Sequence, residues 1–303
     1  MRQALASGDG LLWVDLEAPN SDEASILSEL FHFHHLAIED CFNSHVDPAK
    51  IDDYGDYLFI IAQAIRDEER GERVETTELD LFLGRNYVVS FHGQALPFVQ
   101  EVRRRCENHG LEMAQGADFL AHALLDQLVD DYQPLVETLD EALEHVEEQV
   151  LAEPHVSFLE EILLLKRNVQ RLRRALIPQR DMVNRIARGE FPKVVRPETY
   201  MYFRDIYDHV VRVEELVESV RDLADGVLNS YLSAINNRMN EVMKTLSVVA
   251  SILLPLTFIA SIYGMNFQHM PELTWRYGYF LALAAMLAVA LGLAMFFRLR
   301  RWF

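Results

Sequence analysis

The sequence predicts an α/β amino-terminal domain that gives way to long helices and ends in a two-helix transmembrane hairpin. Three observations lead there. Strand-like and helix-like segments alternate up to residue 117, strand signals stop from Asp118 onward, and two long stretches near the carboxy end carry no charge. A chain of 303 residues has the length of about two domains. Its mean hydropathy of -0.01 is that of a soluble protein, but the average hides apolar residues gathered at one end.

In chain order, Leu11 to Leu16 (LLWVDL), Asp56 to Arg66 (DYLFIIAQAIR), Leu79 to Gly84 (LDLFLG) and Asn86 to His92 (NYVVSFH) read as strands. They are short, rich in branched and aromatic residues, and bounded by turn formers. Ser21 to Phe33 and the segment near Leu36 to Cys41 read as helices, with Asn20, Ser21 or Asp22 as the cap of the first. From Asp118 to about Ala152 and from His155 to about Arg188 the periodicity is helical, and Pro154 separates the two. Helical periodicity then runs from Tyr200 towards Leu254 without a proline until Pro255, a rod of roughly 90 Å by Met265 if unbroken. A helix so long needs partners, most simply copies of itself.

No Asp, Glu, Lys or Arg lies between Lys244 and Glu272, and none between Arg276 and Arg298. Each stretch reaches the roughly 20 apolar residues that cross a hydrocarbon core. The second opens with Trp275, Tyr277, Tyr279 and Phe280, residues suited to a membrane interface. The chain thus divides into a cytoplasmic α/β domain (1–117), a helical region (118–199), a long helix continuing into the first span (200–265), an outer loop (266–276), a second span (277–297) and a basic tail (298–303). Arg238 and Lys244 precede the first span, and Arg298, Arg300 and Arg301 follow the second, which predicts that both termini are cytoplasmic. The first residues lack an apolar core of signal-peptide length, in keeping with that placement. Cys41 and Cys106 are expected as buried thiols in a reducing compartment.

Twenty-eight basic residues against 47 acidic ones give a formal charge of -19, which argues against nucleic acid as a partner. The charge is divided: Asp118 to Leu165 holds thirteen acidic residues and no Lys or Arg, whereas Lys166 to Arg188 holds eight basic ones. Ion pairs between two antiparallel helices are one expectation. Attraction of hydrated cations to a dense acidic helix is the other.

Asn240, Met243, Ser247, Ala250, Leu254, Thr257, Ser261 and Gly264 recur at alternating steps of three and four, a seam of small and polar residues through a membrane segment. The spacing fits tight helix packing and the lining of a pore equally well. The seam ends in Tyr263 to Phe267 (YGMNF), with Met270 to Leu273 (MPEL) just beyond. With these flanks, WVDL near the start, LAIED, DYLF, YFRDIYDH, NNRMNEVMKTL and the tail RLRRWF, the chain resembles the CorA magnesium/cobalt transporter family over most of its length.

That resemblance implies a funnel-shaped homopentamer in the cell inner membrane that carries Mg²⁺ inward, and also Co²⁺ and Ni²⁺, under control of intracellular Mg²⁺. It makes Gly264, Met265 and Asn266 the selectivity filter. Asn240, Met243, Leu246, Leu254, Thr257 and Ser261 become the pore lining and gate, with Leu246 preferred where the spacing alone prefers Ser247. Glu272 becomes a ring of charge that concentrates cations at the outer loop. Asp205 becomes a regulatory metal ligand whose partner lies in the turn of Asp67, Glu68 and Glu69. The chemistry agrees: Mg²⁺ sheds water reluctantly, so neutral Asn266 carbonyls can hold its hydration shell without trapping it, and apolar rings can close a path by dewetting. Read locally, Asn266 and Gly264 also fit a helix terminus, and Asp205 an ion pair with Arg204 or Arg212. His32, His34 and His35 match a helix entrance in which His35 stands for a common proline, not a transition-metal site. No Walker lysine loop, GxSxG or HExxH is present, so ATP-driven pumping and these hydrolases are not expected. Two further functions fit less well: a ZntB-like proton-coupled zinc transporter, which MPEL argues against, and a non-transporting membrane ion sensor or scaffold.

Overall fold

The computed structural model describes residues 10–43, 45–68, 73–109, 115–153, 155–266, 275–300 and 302. The chain divides into two compact units, Met1–Asn229 and Ser230–Phe303.

The first unit is built on a five-stranded sheet of order β1-β5-β4-β3-β2, with β1 Leu12–Glu17, β2 Lys50–Asp53, β3 Tyr57–Glu68, β4 Arg73–Gly84 and β5 Tyr87–His92. β1 runs parallel to β5, with Val14 opposite Val89, and the other pairs are antiparallel. Helices α1 (Ser21–Glu29) and α2 (His35–Cys41) connect β1 to β2. Their apolar residues Leu27, Ala37 and Cys41 join Val14, Phe59, Phe82 and Val89 in one core cluster. α3 spans Pro97–His109, α4 Ala117–Asp130, α5 Tyr132–Ala152 and α6 Ser157–Ala187. α4 and α6 pack on the sheet, so β3 is buried on both faces and reads as a continuous apolar run.

Several local outcomes refine the sequence expectations. Asn20 is the cap of α1: its side chain accepts from Asp22 N and Glu23 N at 3.0 Å, and Glu23 returns a bond to Asn20 N. α1 stops at Glu29 and does not run to Phe33, because His32 adopts a left-handed φ of 55° and frees Phe33 to stack on Phe82 at 4.0 Å. His34 caps α2, accepting from Leu36 N at 3.3 Å. The helical stretch from Asp118 to Ala152 is two helices, since Pro134 lacks the N–H that would bond the Asp130 carbonyl. Strand β4 starts six residues before Leu79, its polar first half pairing with β3. β2 and α3 were not anticipated; β2 is only four residues long, and α3 is mostly polar, with five charged residues among its 13.

β2 pairs with β3 only from Leu58 to Ile61, so the buried backbone of β3 beyond it needs other partners. Gln179 Oε1 of α6 accepts from Gln63 N at 3.0 Å, and Tyr132 OH of α5 donates to Gln63 O at 2.7 Å. Arg171 and Arg185 of α6 donate to Val74 O and Ile51 O at 2.9 and 3.1 Å. The helices are therefore docked on the sheet by polar contacts as well as by apolar area.

The expected pairing of the acidic helix with the basic one is corrected. α5 and α6 meet through Leu135, Leu139, Leu143 and Val146 against Ile162, Leu165, Val169 and Leu172, all buried. The basic residues of α6 instead pair with the long helix α7, Tyr200–Tyr263: Arg180 with Glu214 at 2.8 Å, Lys166 with Asp225, and Arg173 with Glu218. Glu137, Glu141, Glu144 and Glu148 stay exposed. Burying leucine and valine removes apolar surface from water at roughly 25 cal/mol per Å², whereas half-exposed ion pairs contribute little.

Candidate ion pathway and acidic cluster

α7 is one helix of 64 residues, about 96 Å long at the standard rise. Pro255 is accommodated inside it, where it leaves the Ser251 carbonyl without its helical donor. The helix enters the second unit, where, among the described residues, α7 and α8 (Gly278–Leu299) are the two helices long and apolar enough to cross a membrane, with mean hydropathies of 2.1 and 2.5 over their most apolar stretches. About 33 Å of α8 suffices for a hydrocarbon core. At its far end, Trp302 packs on Phe297 at 5.5 Å, with Lys244 of α7 5.9 Å from the Trp302 ring centre.

Asn240, Met243, Leu246, Leu254, Thr257 and Ser261 all lie on α7 and are exposed in the single chain; Leu254 is 71% exposed. That is a high value for leucine, and it leaves an apolar and polar face that one chain does not cover. Thr257 Oγ1 donates to Leu253 O at 2.9 Å and Ser247 Oγ to Met243 O at 2.7 Å. Each hydroxyl donor is thus spent within its own helix, leaving the oxygen lone pairs directed outward to accept from water.

α7 ends at Tyr263, and Gly264 N and Met265 N close the last turn onto Ala260 O and Ile262 O at 3.0 and 3.3 Å. Gly264 is not in the left-handed conformation of a glycine helix cap. A Cβ there would meet only Ala260 O and Ser261 O at 3.5 Å, ordinary contacts within the chain. Gly264 instead opens onto a cavity of about 520 Å³ lined by Ala260, Trp275, Tyr279, Ala282 and Met286. Met265 and Asn266 follow, both exposed. Phe267, Met270 and Glu272 lie outside the described residues, as does Glu69; Asp67 and Glu68 end strand β3, with their side chains outside the description.

A cluster that sequence inspection did not single out lies on the first unit. Asp126 and Asp130 of α4 and His209 of α7 bring ligand atoms within 4.8 Å of one another, beside a cleft of about 160 Å³ that includes Arg212. The signal was present as i, i+4 spacing, Asp126 with Asp130 and Asp205 with His209, but only folding places α4 against α7. Burial raises the Asp130 pKa, and the neighbouring Asp126 and Asp205 carboxylates add to the rise while His209 opposes it. Asp205 is exposed one turn before His209 and contributes to the field at both Asp130 and His122. Arg105 acts on the same two groups in the opposite direction, so the field around Asp205 is mixed. The His34 and His35 rings lie 4.4 Å apart, tilted by 32°, at the α2 entrance.

The start of α7 is held by a second constellation. Asp118, in the first turn of α4, accepts from Arg196 N at 3.0 Å and Arg196 Nε at 2.9 Å, and from Thr199 Oγ1 at 3.1 Å. Gly116, with φ of 117°, leaves room for the guanidinium: a Cβ there would lie 2.7 Å from Arg196 Nη2. Asp118 thereby fixes the segment from which α7 departs.

Comparison with known proteins agrees with this architecture. Residues 8–301 match the family model described as CorA-like Mg2+ transporter protein. The chain is 40% identical over 291 residues to a putative metal ion transporter of Bacillus subtilis, covering 96% of this chain and 89% of that protein. It is 36% identical to the cobalt/magnesium transport protein CorA of Thermotoga maritima, covering 96% and 83%. The solved CorA magnesium transporter of Methanocaldococcus jannaschii has the same fold, with a TM-score of 0.84 at 23% identity over 94% of this chain and 89% of that one. The chain belongs to the CorA-like Mg2+ transporter family, whose members are membrane transporters of divalent metal ions and not enzymes.

Proposed function

We propose that the protein is a homopentameric Mg²⁺ channel of the inner membrane, also permeable to Co²⁺ and Ni²⁺, that closes when intracellular Mg²⁺ binds its cytoplasmic domain. One observation carries it: a single unbroken helix bears both an exposed seam of Asn240, Met243, Leu246, Leu254, Thr257 and Ser261 and, near its start, Asp205 and His209. Helices related by symmetry around those seams would enclose a path with amide and hydroxyl oxygens at Asn240, Thr257 and Ser261 and apolar rings between. Five Asn266 carbonyls beside Gly264 and Met265 would meet the hydrated ion at the outer mouth, with Glu272 concentrating cations there. Neutral oxygens bind weakly enough for the ion to leave.

For gating, a divalent ion bridging Asp205 to Asp67 and Glu68 of a neighbouring subunit, or held by Asp126 and Asp130, would screen carboxylates that otherwise repel. Asp126, Asp130 and their waters supply the oxygen donors that Mg²⁺ prefers, and His209 can serve as a hydrogen-bond partner of a bound water. Occupancy would favour a closed, symmetric arrangement, and falling internal Mg²⁺ would release it, a population shift. Both termini are then cytoplasmic, with Arg298 and Arg300 at the inner surface.

The test is uptake of Mg²⁺ and of Zn²⁺ into proteoliposomes, each with and without a proton gradient. Mg²⁺ flux that follows membrane potential, ignores the proton gradient and vanishes in Asn266→Ala supports the channel. Zn²⁺ flux that rises with the proton gradient, with little Mg²⁺ entry, would overturn it in favour of a proton-coupled zinc transporter. Absence of any flux would leave an ion sensor.

A further inference from the structure

A buried histidine away from the ion pathway makes more hydrogen bonds than its neutral form can supply. His92 ends β5, and its side chain is only 1% exposed. Its Nδ1 lies 2.6 Å from the Gln94 carbonyl oxygen and its Nε2 3.1 Å from Asp15 Oδ1. Both partners are acceptors, and a neutral imidazole has a single N–H. Only the imidazolium satisfies both contacts, because in either neutral tautomer a ring lone pair faces an oxygen.

Asp15 does not supply the missing proton, since its own oxygens are met by donors. Trp13 Nε1 donates to Ser90 Oγ at 3.0 Å, which leaves the Ser90 hydroxyl to donate to Asp15 Oδ1 at 2.5 Å, and Arg103 of α3 donates to Oδ2. Burial opposes ionisation of Asp15, but the bonds from His92 and Ser90 and the charges of His92 and Arg103 outweigh it and hold its pKa below the ordinary value. Burial also opposes charge on His92; the Asp15 bond, the Gln94 carbonyl and the charges of Asp15 and Glu17 outweigh it and raise its pKa. Among the described residues, Cys41, His45, Glu78 and Asp80 share a cleft with His92. Burial there pushes Glu78 up to about 7, Asp80 up to about 8 and the Cys41 thiol higher still. On the other side, Cys106 and Glu107 of α3 flank Arg103 beside Asp15, and Arg66 of β3 donates to the Gln94 side chain.

These contacts join three segments. Asp15 lies in β1 at the sheet edge, His92 in β5, and Gln94 in the turn that leads into α3. Phe98, Val99 and Val102 of α3 are buried, and α3 packs on α4. Asp15 keeps Ser90 and Arg103 when His92 loses a proton, whereas Gln94 is exposed, so the Gln94 contact is the one that yields.

We propose that His92 is a proton-operated latch: its imidazolium ties the turn at Gln94 to Asp15 of the edge strand, and its deprotonation at rising pH releases the turn and loosens α3. The stabilisation is complete below the ordinary histidine pKa of about 6.5 and is lost as pH rises through the higher folded value. On the orientation proposed above the pH sensed is that of the cytoplasm; the test below does not depend on transport.

The experiment follows the slow exchange of the imidazole Cε1 hydrogen for deuterium in the full-length protein in detergent, from about pH 5 to 9, by mass spectrometry of peptides. His92 is the only histidine between His45 and His109, so a peptide from that stretch reports it alone. Backbone amide exchange over Pro97–His109, referenced to an unstructured peptide at each pH, is read in the same samples. The expected result is a His92 midpoint above about 6.5, with a loss of amide protection in α3 of about tenfold at that midpoint, the size of one charge-assisted hydrogen bond. Asp15→Asn lowers the midpoint by about one unit or more, and Glu17→Gln, at an exposed position, by less. His92→Gln removes the step in α3 protection, with circular dichroism as the folding check. The proposal is overturned by a midpoint at or below the ordinary value, by α3 protection without a step, by a step that persists in folded His92→Gln and so belongs to Glu78 or Asp80, or by a midpoint that neither Asp15→Asn nor Glu17→Gln lowers.

Discussion

Removing the charge of Asp118 should unfasten the root of the long helix. Its side chain is 2% exposed and receives Arg196 through backbone and guanidinium, and Thr199 through its hydroxyl. Burial opposes ionisation, but the Arg196 bonds and charge, with help from Thr199, outweigh it and hold the carboxyl below its usual range. Asp118→Asn keeps the volume and removes the charge. Breaking a fully buried pair costs about 3–5 kcal/mol; Arg196 is half exposed and regains water, which reduces the expected loss to about 2–4 kcal/mol. At about 2–4 °C per kcal/mol for a domain of this size, the unfolding temperature should fall by roughly 4–16 °C. The pH dependence gives a second check. A folded-state pKa depressed below the unfolded value contributes stability above about pH 3.9, and that contribution is lost as pH falls through the folded pKa. The gap between wild type and variant, followed by near-ultraviolet circular dichroism, should therefore be full at pH 7 and close in strong acid. A loss below about 1 kcal/mol, or a gap that does not change with pH, would refute the account.

Three other outcomes follow from the proposed channel. Asn266→Ala should lower Mg²⁺ uptake by more than about tenfold with assembly unchanged by size-exclusion chromatography, since the ring of carbonyls is lost; ordinary flux would remove the filter assignment. Leu254→Asn should wet an apolar ring and leave a leak at high internal Mg²⁺, read as current in planar bilayers; complete closure would show that Leu254 is not at the gate. Asp205→Lys, and separately Asp130→Asn, should shift the internal Mg²⁺ concentration that closes the channel by about fivefold or more, a coupling change of about 1 kcal/mol; an unshifted closing curve in both variants would separate the acidic cluster from gating.

The spans were legible because membrane crossing is a property of consecutive residues: the uncharged run between Arg276 and Arg298 needs no tertiary context to be recognised. So was the long helix, whose periodicity runs from Tyr200 towards Leu254 and whose observed end is Tyr263. Strands β1, β3 and β5 were legible for a similar reason, since their apolar runs record burial directly. Pairings between distant segments were not. Whether Lys166 and Arg180 meet the acids of α5 or of α7 depends on which helix faces share apolar area, and Leu139 and Leu143 took the α6 contact that charge alone would have assigned to glutamates. Asp126 and Asp130 are ordinary residues about 80 positions from His209 until α4 packs beside α7. Asp80 reads as a polar break in the strand LDLFLG until the fold closes over it and leaves one oxygen without a partner. Sequence by itself determined the segments and the family, because hydropathy, periodicity and the YGMNF run are local. Only the tertiary structure decided which charges are shared and which are stranded, because Coulomb energy and desolvation depend on distance and burial in space, not on position along the chain.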